Sequence, residues 1–200
     1  MYQPESFRVE DHDRLFDFLD RHGFGLLAST DGQSLVGSHL PFLANREAMS
    51  LYGHMARANG HWNTIDGEVL AVFTGPDAYI SPTWYEEKNV LPTWNYTAVH
   101  VTGRLQVVDG ASEQRAVMEA TIAHFERGRS EAWMLDFDGE FSRRLLEEIV
   151  VFRIDITRIE GTWKLSQHHS AERRERVGRA LAGEESEAAR EIGRLMRDLQ

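Results

Sequence analysis

Residues 24–42 read FGLLASTDGQSLVGSHLPF, and this stretch decides the fold class. Two apolar-rich runs flank the turn sequence DGQ, a combination that is typical of a β-hairpin. A third run, AMSLYGHM at 48–55, and a fourth, EVLAVFTG at 68–75, follow without a helix long enough for a parallel crossover. The sequence therefore predicts an antiparallel sheet.

Helices and two further strands complete the predicted architecture. Residues 11–22 carry apolar side chains at helical spacing before Gly23, which predicts a first helix. The same reasoning predicts helices over 112–127 and 139–148, and strands over 96–108 and 149–165. About six strands close most simply into a small barrel, because closure removes exposed strand edges. We therefore expect a mainly β chain with flanking α-helices.

Composition and charge exclude several classes of function. The 200 residues contain 22 Lys and Arg against 32 Asp and Glu, a net charge of −10, which argues against a broad basic surface for nucleic acid. The absence of cysteine excludes disulfides, thiolate metal sites and cysteine nucleophiles. Neither a signal peptide nor a membrane-spanning apolar run is visible, so a cytoplasmic protein is expected.

The last segment, residues 170–200, is predicted to be a helical tail that is interrupted near Gly183 and follows a main domain over 1–169. Its seven arginines balance seven acidic residues. The run AERRERVGRAL indicates a solvated helix face with intrahelical ion pairs, and a helix that contacts DNA is a weaker alternative. No helix-turn-helix pattern is recognisable.

The stretch GHMARANGHW at 53–62 predicts an anion site at a strand end. The first N–H groups of a helix have no partners within the helix, and an arginine beside them can clamp a phosphate. Arg57 suits the clamp, Asn59 a helix cap and His54 a further donor, while Gly60 lets the backbone come close. The alternative is that Arg57 pairs with a surface glutamate.

Aromatic residues are concentrated in SPTWYEEKNVLPTWNY at 81–96, which holds two tryptophans and two tyrosines. Such a segment can wall a pocket for a planar heterocycle, or can simply cover a barrel mouth. Lys164 follows a later strand, and its ammonium group could stabilise negative charge on an electron-rich ring. A planar ligand that carries a phosphate, such as flavin mononucleotide (FMN), satisfies all three features.

Other sites have weaker support in the sequence. The nine histidines show no HExxH spacing and no carboxylates that complete a metal site, so no metal is predicted. Haem needs only one axial histidine and stays open as an alternative to flavin. A serine hydrolase lacks the G-x-S-x-G turn, and neither a P-loop nor a dinucleotide fingerprint is present.

Several motifs in register resemble one family. These motifs, in chain order, are MYQPESFRVED, FGLL, SHLPF, LYGHMARAN, GPDAYISPTWY, VLPTWNYTAVHVTG and WKLSQ. Over about residues 1–168 the chain resembles the PaiB family, whose members are described as FMN-binding negative transcriptional regulators. It departs after Gln167, where the family usually has asparagine and this chain has His168.

The resemblance implies a six-stranded antiparallel FMN-binding split barrel of the pyridoxamine-phosphate-oxidase group. It also implies a homodimer with two flavin sites at the subunit interface. The cofactor-binding residues that it implies are Ser38, His39, Leu40, His54, Met55, Ala56, Arg57, Asn59, Trp94, Asn95, Lys164 and Gln167.

Each part of that set has an implied place. Ser38, His39 and Leu40 would lie near the polar edge of the isoalloxazine, and the segment from His54 to Asn59 would handle the phosphate. Trp94 and Asn95 would approach from the other subunit or from the covering loop. Lys164 and Gln167 would sit near the flavin or its phosphate.

Two functions share this site. The resemblance favours a flavin-dependent sensor or regulator, with a DNA or protein partner weakly indicated. The alternative is a flavin-dependent oxidoreductase, similar to pyridoxamine-phosphate oxidases or flavin reductases, that uses the same residues. No catalytic acid or base can be named, since His39, His54 and Tyr96 have no readable partner.

Overall fold

The computed structural model describes residues 1–199, which form two compact units. We call the first the terminal unit: it combines Met1–Leu15, Thr74–Val99 and the chain from Glu160 onward. The second, here the sheet unit, combines Phe16–Phe73 with His100–Ile159. Each unit is described by itself.

Within residues 1–199, the regular structure consists of seven strands, five α-helices and short 3₁₀ helices. The strands are β1 (Arg8–Val9), β2 (Phe24–Thr30), β3 (Leu35–Asn45), β4 (Ser50–Ala56), β5 (Val69–Ile80), β6 (Thr93–Val107) and β7 (Ile149–Lys164). The α-helices are α1 (His12–Arg21), α2 (Ala111–Phe125), α3 (Glu140–Glu147), α4 (Ala171–Ala182) and α5 (Glu187–Arg197). Three short 3₁₀ helices span Glu5–Phe7, Gly60–Asn63 and Pro82–Tyr85.

The strands form one sheet in the order β1-β7-β4-β3-β2-β5-β6, with β7 also paired to β6. The pairings of β2 with β3, β3 with β4 and β4 with β7 are all antiparallel, which confirms the predicted pairing and the hairpin. The predicted number of six strands is wrong, because there are seven. The additional strand is β1, whose two residues pair with Gly161 and Thr162 of β7.

The lengths of β5 and β6 also differ from the prediction. The predicted fourth strand ends at Gly75 and the next begins at Tyr96, but β5 continues to Ile80 and β6 begins at Thr93. Pro76 therefore lies inside a strand. A proline is tolerated there when its missing N–H is not needed by a neighbouring strand, and the pairing of β5 with β2 runs from Leu70 to Val72, before Pro76.

Aromatic side chains fill the interior of the sheet unit. Phe42 meets Phe73 and Phe152 edge-to-face, with ring centroids 5.2 and 6.1 Å apart. Gly53 lies against the Phe152 ring, where an added Cβ would come within 2.5 Å of it. The absence of a side chain at this strand position lets the ring occupy the core.

Helix α2 covers only part of the outer face of the sheet. Val117 of α2 packs on Val108 and Val151, with Tyr52 and Ile149 beside them. The outward residues of β2 and β3 are much less covered: Phe24 is 66% exposed and Leu35 is 89% exposed. The half-buried residues Leu26, Leu70 and Val72 lie on the same face, as the strand registers show. We call these five residues the bare face.

The terminal unit packs its helices around an apolar centre. Val177 and Leu181 of α4 and Ile192 and Met196 of α5 are buried. Ser170 and Ser186 cap the two helices through their hydroxyl groups. The two helices and the break at Gly183 agree with the predicted pattern up to residue 199. Residue 200 of the predicted tail lies outside the described residues, and the tail as a separate segment after residue 169 stays a prediction.

Across residues 1–199, no helix combines the length and the apolar character that crossing a membrane requires. The cytoplasmic location stays a prediction.

Candidate functional site

The residues that the sequence nominates fall into two groups, one in each unit. The sheet unit holds Ser38, His39, Leu40, His54, Met55, Ala56, Arg57 and Asn59. The terminal unit holds Trp94, Asn95, Lys164 and Gln167.

A hydrogen-bonded network organises the sheet-unit group around His61. Its Nε2 lies 2.8 Å from the Ser29 hydroxyl and its Nδ1 lies 2.9 Å from the Ser38 hydroxyl. Asn59 donates from its amide to Ser38 Oγ at 3.1 Å and accepts from the His61 N–H at 3.1 Å. The network therefore ties β2 and β3 to the short 3₁₀ helix Gly60–Asn63.

His61 is almost fully buried, with 2% of its surface exposed. Burial lowers the pKa of its imidazole below the ordinary value of 6.5, because desolvation disfavours the charged form. A neutral imidazole donates from one nitrogen and accepts at the other, so it can bond both serine hydroxyls at once. Neutral His61 thus satisfies Ser29 and Ser38 together.

Arg57 is fixed by backbone carbonyls. Its Nε donates to the Glu147 carbonyl at 2.6 Å and its Nη2 donates to the Ile149 carbonyl at 2.8 Å. The Trp62 indole N–H in turn donates to the Arg57 carbonyl at 3.2 Å. A guanidinium has five N–H donors, so these two bonds leave three for a ligand. Arg57 is exposed, and its orientation is set before any anion arrives.

The other nominated residues of the sheet unit differ in accessibility. His39 is exposed and stacks on Phe24, with ring centroids 6.2 Å apart and an angle of 20° between the ring planes. Leu40 and Met55 are buried in the core. His54 is partly buried, and desolvation lowers the pKa of its imidazole. Ala56 is the exposed last residue of β4.

The expected helix start after β4 is only a four-residue 3₁₀ helix, Gly60–Asn63. Asn59 caps it, as its side chain accepts from the His61 N–H. The predicted cap is thus confirmed, but so short a helix adds little dipole to attract an anion. The donors for an anion at this strand end are side chains, Arg57 foremost.

In the terminal unit, Lys164 donates from Nζ to the Thr93 hydroxyl at 2.5 Å. Partial burial lowers the pKa of this ammonium group through desolvation. Gln167 closes a turn of its own chain: its amide donates to the Trp163 carbonyl at 2.5 Å and accepts from the Leu165 N–H at 2.7 Å. Both ends of the Gln167 amide therefore bond to backbone.

Trp94 and Asn95 lie next to each other in β6 but point to different surroundings. Trp94 is 53% exposed and meets Tyr79 edge-to-face at 5.9 Å between centroids. Asn95 is fully buried, and its amide nitrogen donates to Ser166 Oγ at 3.0 Å and to Met196 Sδ at 3.4 Å. Trp94 can reach a ligand, whereas Asn95 bonds within the unit.

Sequence reasoning did not nominate Ser29 and His61 as site residues. His61 carried a weak signal, because it is the second histidine of the stretch at 53–62, for which an anion site is predicted. Ser29 carried none, because a serine in a hairpin strand is ordinary. Only the register of β2 against β3 brings Ser29 to the network.

Metal ligands are not clustered in the described chain. Among residues 1–199, no group of three or more His, Asp or Glu side chains is placed to hold a metal ion.

The sequence and the fold match known proteins. Residues 1–158 match the family described as "Putative FMN-binding domain". The chain is also 33% identical over 208 aligned positions to "Protease synthase and sporulation protein PAI 2" of Bacillus subtilis, and the alignment covers 99% of this chain and 97% of that protein. The chain belongs to the PaiB family of FMN-binding split-barrel proteins. FMN is therefore its cofactor, and the predicted fold class is confirmed with seven strands.

Solved structures share the fold of this PaiB-family protein at low sequence identity. The flavocytochrome Anf3 of Azotobacter vinelandii superposes with a TM-score of 0.62 at 11% identity, covering 78% of this chain and 69% of that one. The FAD and heme binding protein of Mycobacterium smegmatis gives 0.62 at 15% identity, covering 88% and 80%.

The residues of the sheet unit fit FMN by their donor chemistry. The three remaining N–H groups of Arg57 suit a phosphate, which prefers charged, forked donors. The hydroxyl of Ser38 and the amide of Asn59 suit the polar groups of a flavin. When bound, FMN supplies reversible electron transfer, which the protein's own side chains do not provide.

We predict that His61→Leu destabilises the fold by about 2–4 kcal/mol, because it leaves the Ser29 and Ser38 hydroxyls without their partner. The same change should also make the free energy of unfolding fall less steeply as the pH is lowered. The folded state keeps His61 neutral, so the unfolded chain takes up this proton first as the pH falls below about 6.5, and stability is lost there. Urea unfolding between pH 5 and pH 8 measures both effects.

The matched control is His12→Leu at the exposed start of α1. It should leave the slope of stability against pH as in the unchanged protein. If the His61→Leu protein also showed the same slope of stability against pH as the unchanged protein, the assignment of a neutral, buried imidazole would be contradicted.

Proposed function

We propose that the protein is an FMN-dependent sensor that acts as a homodimer and regulates through a protein or metabolite partner. The observation that carries this proposal is the Arg57 guanidinium, which backbone carbonyls hold on an exposed surface with three N–H donors remaining. A fixed, forked cation loses little conformational entropy when it binds a phosphate. Arg57 is therefore proposed as the clamp on the FMN phosphate.

Ser38, His39 and Asn59 are proposed as the neighbouring polar contacts of the flavin. The His61 network fixes the side chains of Ser38 and Asn59, so their donors have one direction. His39 presents an exposed flat ring beside Phe24. Leu40, Met55 and Asn95 are buried and are proposed to support the site rather than to touch the ligand.

The remaining nominated residues stay predictions as flavin contacts. Trp94 supports that role by its exposed ring, and Lys164 by an ammonium group that partial burial makes easier to deprotonate. His54 and Ala56 belong to the strand end that leads to Arg57. Gln167 has the weakest support, because its amide already bonds to Leu165 and Trp163.

A homodimer is proposed from the bare face of the sheet unit. Its members are large apolar residues on adjacent strands, and α2 covers a different part of the outer sheet surface. Monomeric proteins rarely expose a contiguous apolar patch of this kind. Isologous contact with the same face of a second copy buries it in both chains.

The regulatory part of the proposal rests on the relative from Bacillus subtilis, which is named a protease synthase and sporulation protein. Direct contact with DNA has little support in α4. Arg173 and Arg176 pair with Glu87, and Arg174 donates to the His169 carbonyl, so three of the four arginines of that helix are engaged. A protein or metabolite partner therefore fits better than DNA.

We predict that Arg57→Ala weakens FMN binding by about 10- to 100-fold, since it removes charge-assisted hydrogen bonds to the phosphate. Arg57→Lys should recover only part of the affinity, because it keeps the charge and loses the fork. Titration of the flavin-free protein with FMN, followed by fluorescence quenching, gives both constants. Arg104→Ala, at another exposed arginine of the sheet unit, should bind FMN normally. Normal affinity in Arg57→Ala would exclude the proposed clamp.

The variants Phe24→Asp and Leu35→Asp are predicted to shift the protein to monomers, because a carboxylate on the bare face costs desolvation in the dimer. Sedimentation velocity measures the change in mass. Phe141→Asp is the control, since Phe141 is 70% exposed on α3, away from the bare face. A dimer that persists in both bare-face variants would refute the proposed interface.

A turnover assay distinguishes a flavin sensor from a flavin-dependent oxidoreductase. The sensor is expected to hold FMN without sustained oxidation of NADH or NADPH, and to show no saturable binding to DNA at physiological salt. Both are measured on purified protein, by absorbance and by fluorescence anisotropy. Sustained oxidation that Arg57→Ala abolishes would overturn the sensor in favour of an oxidoreductase. Specific DNA binding would overturn the proposed route of regulation.

A further inference from the structure

The terminal unit contains a cavity that the flavin proposal does not use. It has a volume of about 390 Å³ and lies between the segment that leads into β6 and the turn that follows β7. This volume falls within the usual range for small-molecule sites. Its lining combines apolar residues at one side with histidines and an arginine at the other.

The apolar side consists of Val90, Leu91 and Pro92. Leu91 is 82% exposed, although it is a large apolar residue in a cavity lining. The ring of buried Tyr85 belongs to the same lining. This side can receive the hydrocarbon part of a ligand.

The polar side holds His168, His169 and Arg173. The two imidazole rings lie with centroids 4.0 Å apart. Arg173 donates from Nη1 to His169 Nδ1 at 2.9 Å, which places the proton of neutral His169 on Nε2, because an arginine can only donate. Arg173 is thus bonded to His169, whose ring packs on that of His168, so the three residues lie side by side at this end of the cavity.

The charge around this group is mainly positive. The pKa of His168 is lowered by desolvation and then by Lys164 and Arg173, both of which are cations. Phe7 faces the ring of His168 edge-on, and His169 lies beside it. Glu87 is the acidic residue nearby, and Arg173 and Arg176 share it. Lys164 adds a further positive charge near His168.

We propose that this cavity binds a small organic anion, with its charged head at His168 and Arg173 and its apolar body along Val90, Leu91 and Pro92. Arg173 also donates from Nε and Nη2 to Glu87, which leaves one N–H on each of its Nη atoms for a ligand. An anion here gains hydrogen bonds from these groups and from His168, and Lys164 and Arg173 attract it. It also makes protonation of His168 more favourable, so binding and proton uptake are coupled.

The test uses the FMN-loaded full chain and isothermal titration calorimetry with three probes: phenyl phosphate, benzoate and inorganic phosphate. Phenyl phosphate and benzoate should bind saturably. Their affinity should rise severalfold between pH 8 and pH 6, because the bound anion favours protonation of His168. The rise stays below about tenfold, since the pKa of the free His168 imidazole is lowered and part of the gain falls below pH 6. Inorganic phosphate should bind more weakly than phenyl phosphate, because it lacks the apolar body.

Variants locate the site. His168→Gln should lower the affinity for phenyl phosphate by about tenfold and remove most of its pH dependence. Leu91→Asn should weaken phenyl phosphate but leave inorganic phosphate unchanged. The control His12→Gln, at an exposed histidine on α1, should change neither. Flavin absorbance, recorded in the same samples, reports the FMN site separately.

Three results would overturn the proposal. One is the lack of saturable binding by either organic probe, and another is unchanged binding in His168→Gln. The third is competition between phenyl phosphate and FMN, which would make the cavity part of the flavin site. Equal affinity for inorganic phosphate and phenyl phosphate would remove the role of the apolar side. These outcomes can be interpreted even if Arg57 does not bind the FMN phosphate, because they are measured at a different site.

Discussion

One buried imidazole holds together the part of the sheet unit that carries the proposed cofactor contacts. His61 bonds a serine from β2 through one nitrogen and a serine from β3 through the other, while Asn59 links Ser38 to the backbone N–H of His61. A buried polar group costs free energy unless its hydrogen bonds are made, so this arrangement has to be complete. The segment that carries Arg57 and Asn59 therefore has a defined position on the sheet.

The second constraint is the uneven cover of the sheet. Helix α2 packs its apolar side on β7 and β4, where Val108, Val117 and Val151 are buried together. It does not extend over Phe24 and Leu35, which keep most of their surface exposed. Ser38 and His39, which are proposed to contact the cofactor, follow the bare-face residue Leu35 in the same strand, β3. Any change in the packing of β3 therefore acts on both.

Much of the fold could be predicted from local pattern. The hairpin, the late helices and the break near Gly183 are visible because apolar spacing and turn residues act over a few positions. Strand β1 could not be found, because two residues carry no period and form a strand only through their pairing with Gly161 and Thr162. Strand β5 was cut short at Pro76, since the sequence does not show which N–H groups a neighbouring strand needs.

For the candidate site, too, the sequence indicates local neighbours but not contacts that depend on strand register. Residues next to each other in the chain, such as Arg57 and Asn59, could be nominated together. Ser29 could not, because it reaches His61 only through the strand register. Asn95 shows the opposite limit: it lies beside exposed Trp94 in the sequence, yet its amide is buried against Ser166 and Met196. Successive side chains of a strand point to opposite faces, so two adjacent residues of one sequence motif can lie in different surroundings.

The exposed Leu35 and Phe24 also matter before the protein reaches its working form. A newly made chain at low concentration meets water at this surface, and apolar strands in that state adhere to other unfolded chains or recruit chaperones. In the proposed homodimer, mass action would link the survival of each copy to the abundance of the others, because association buries the exposed surface. Slow synthesis of such a dimer would then yield fewer lasting molecules per chain made than rapid synthesis, as isolated copies would be degraded before they meet.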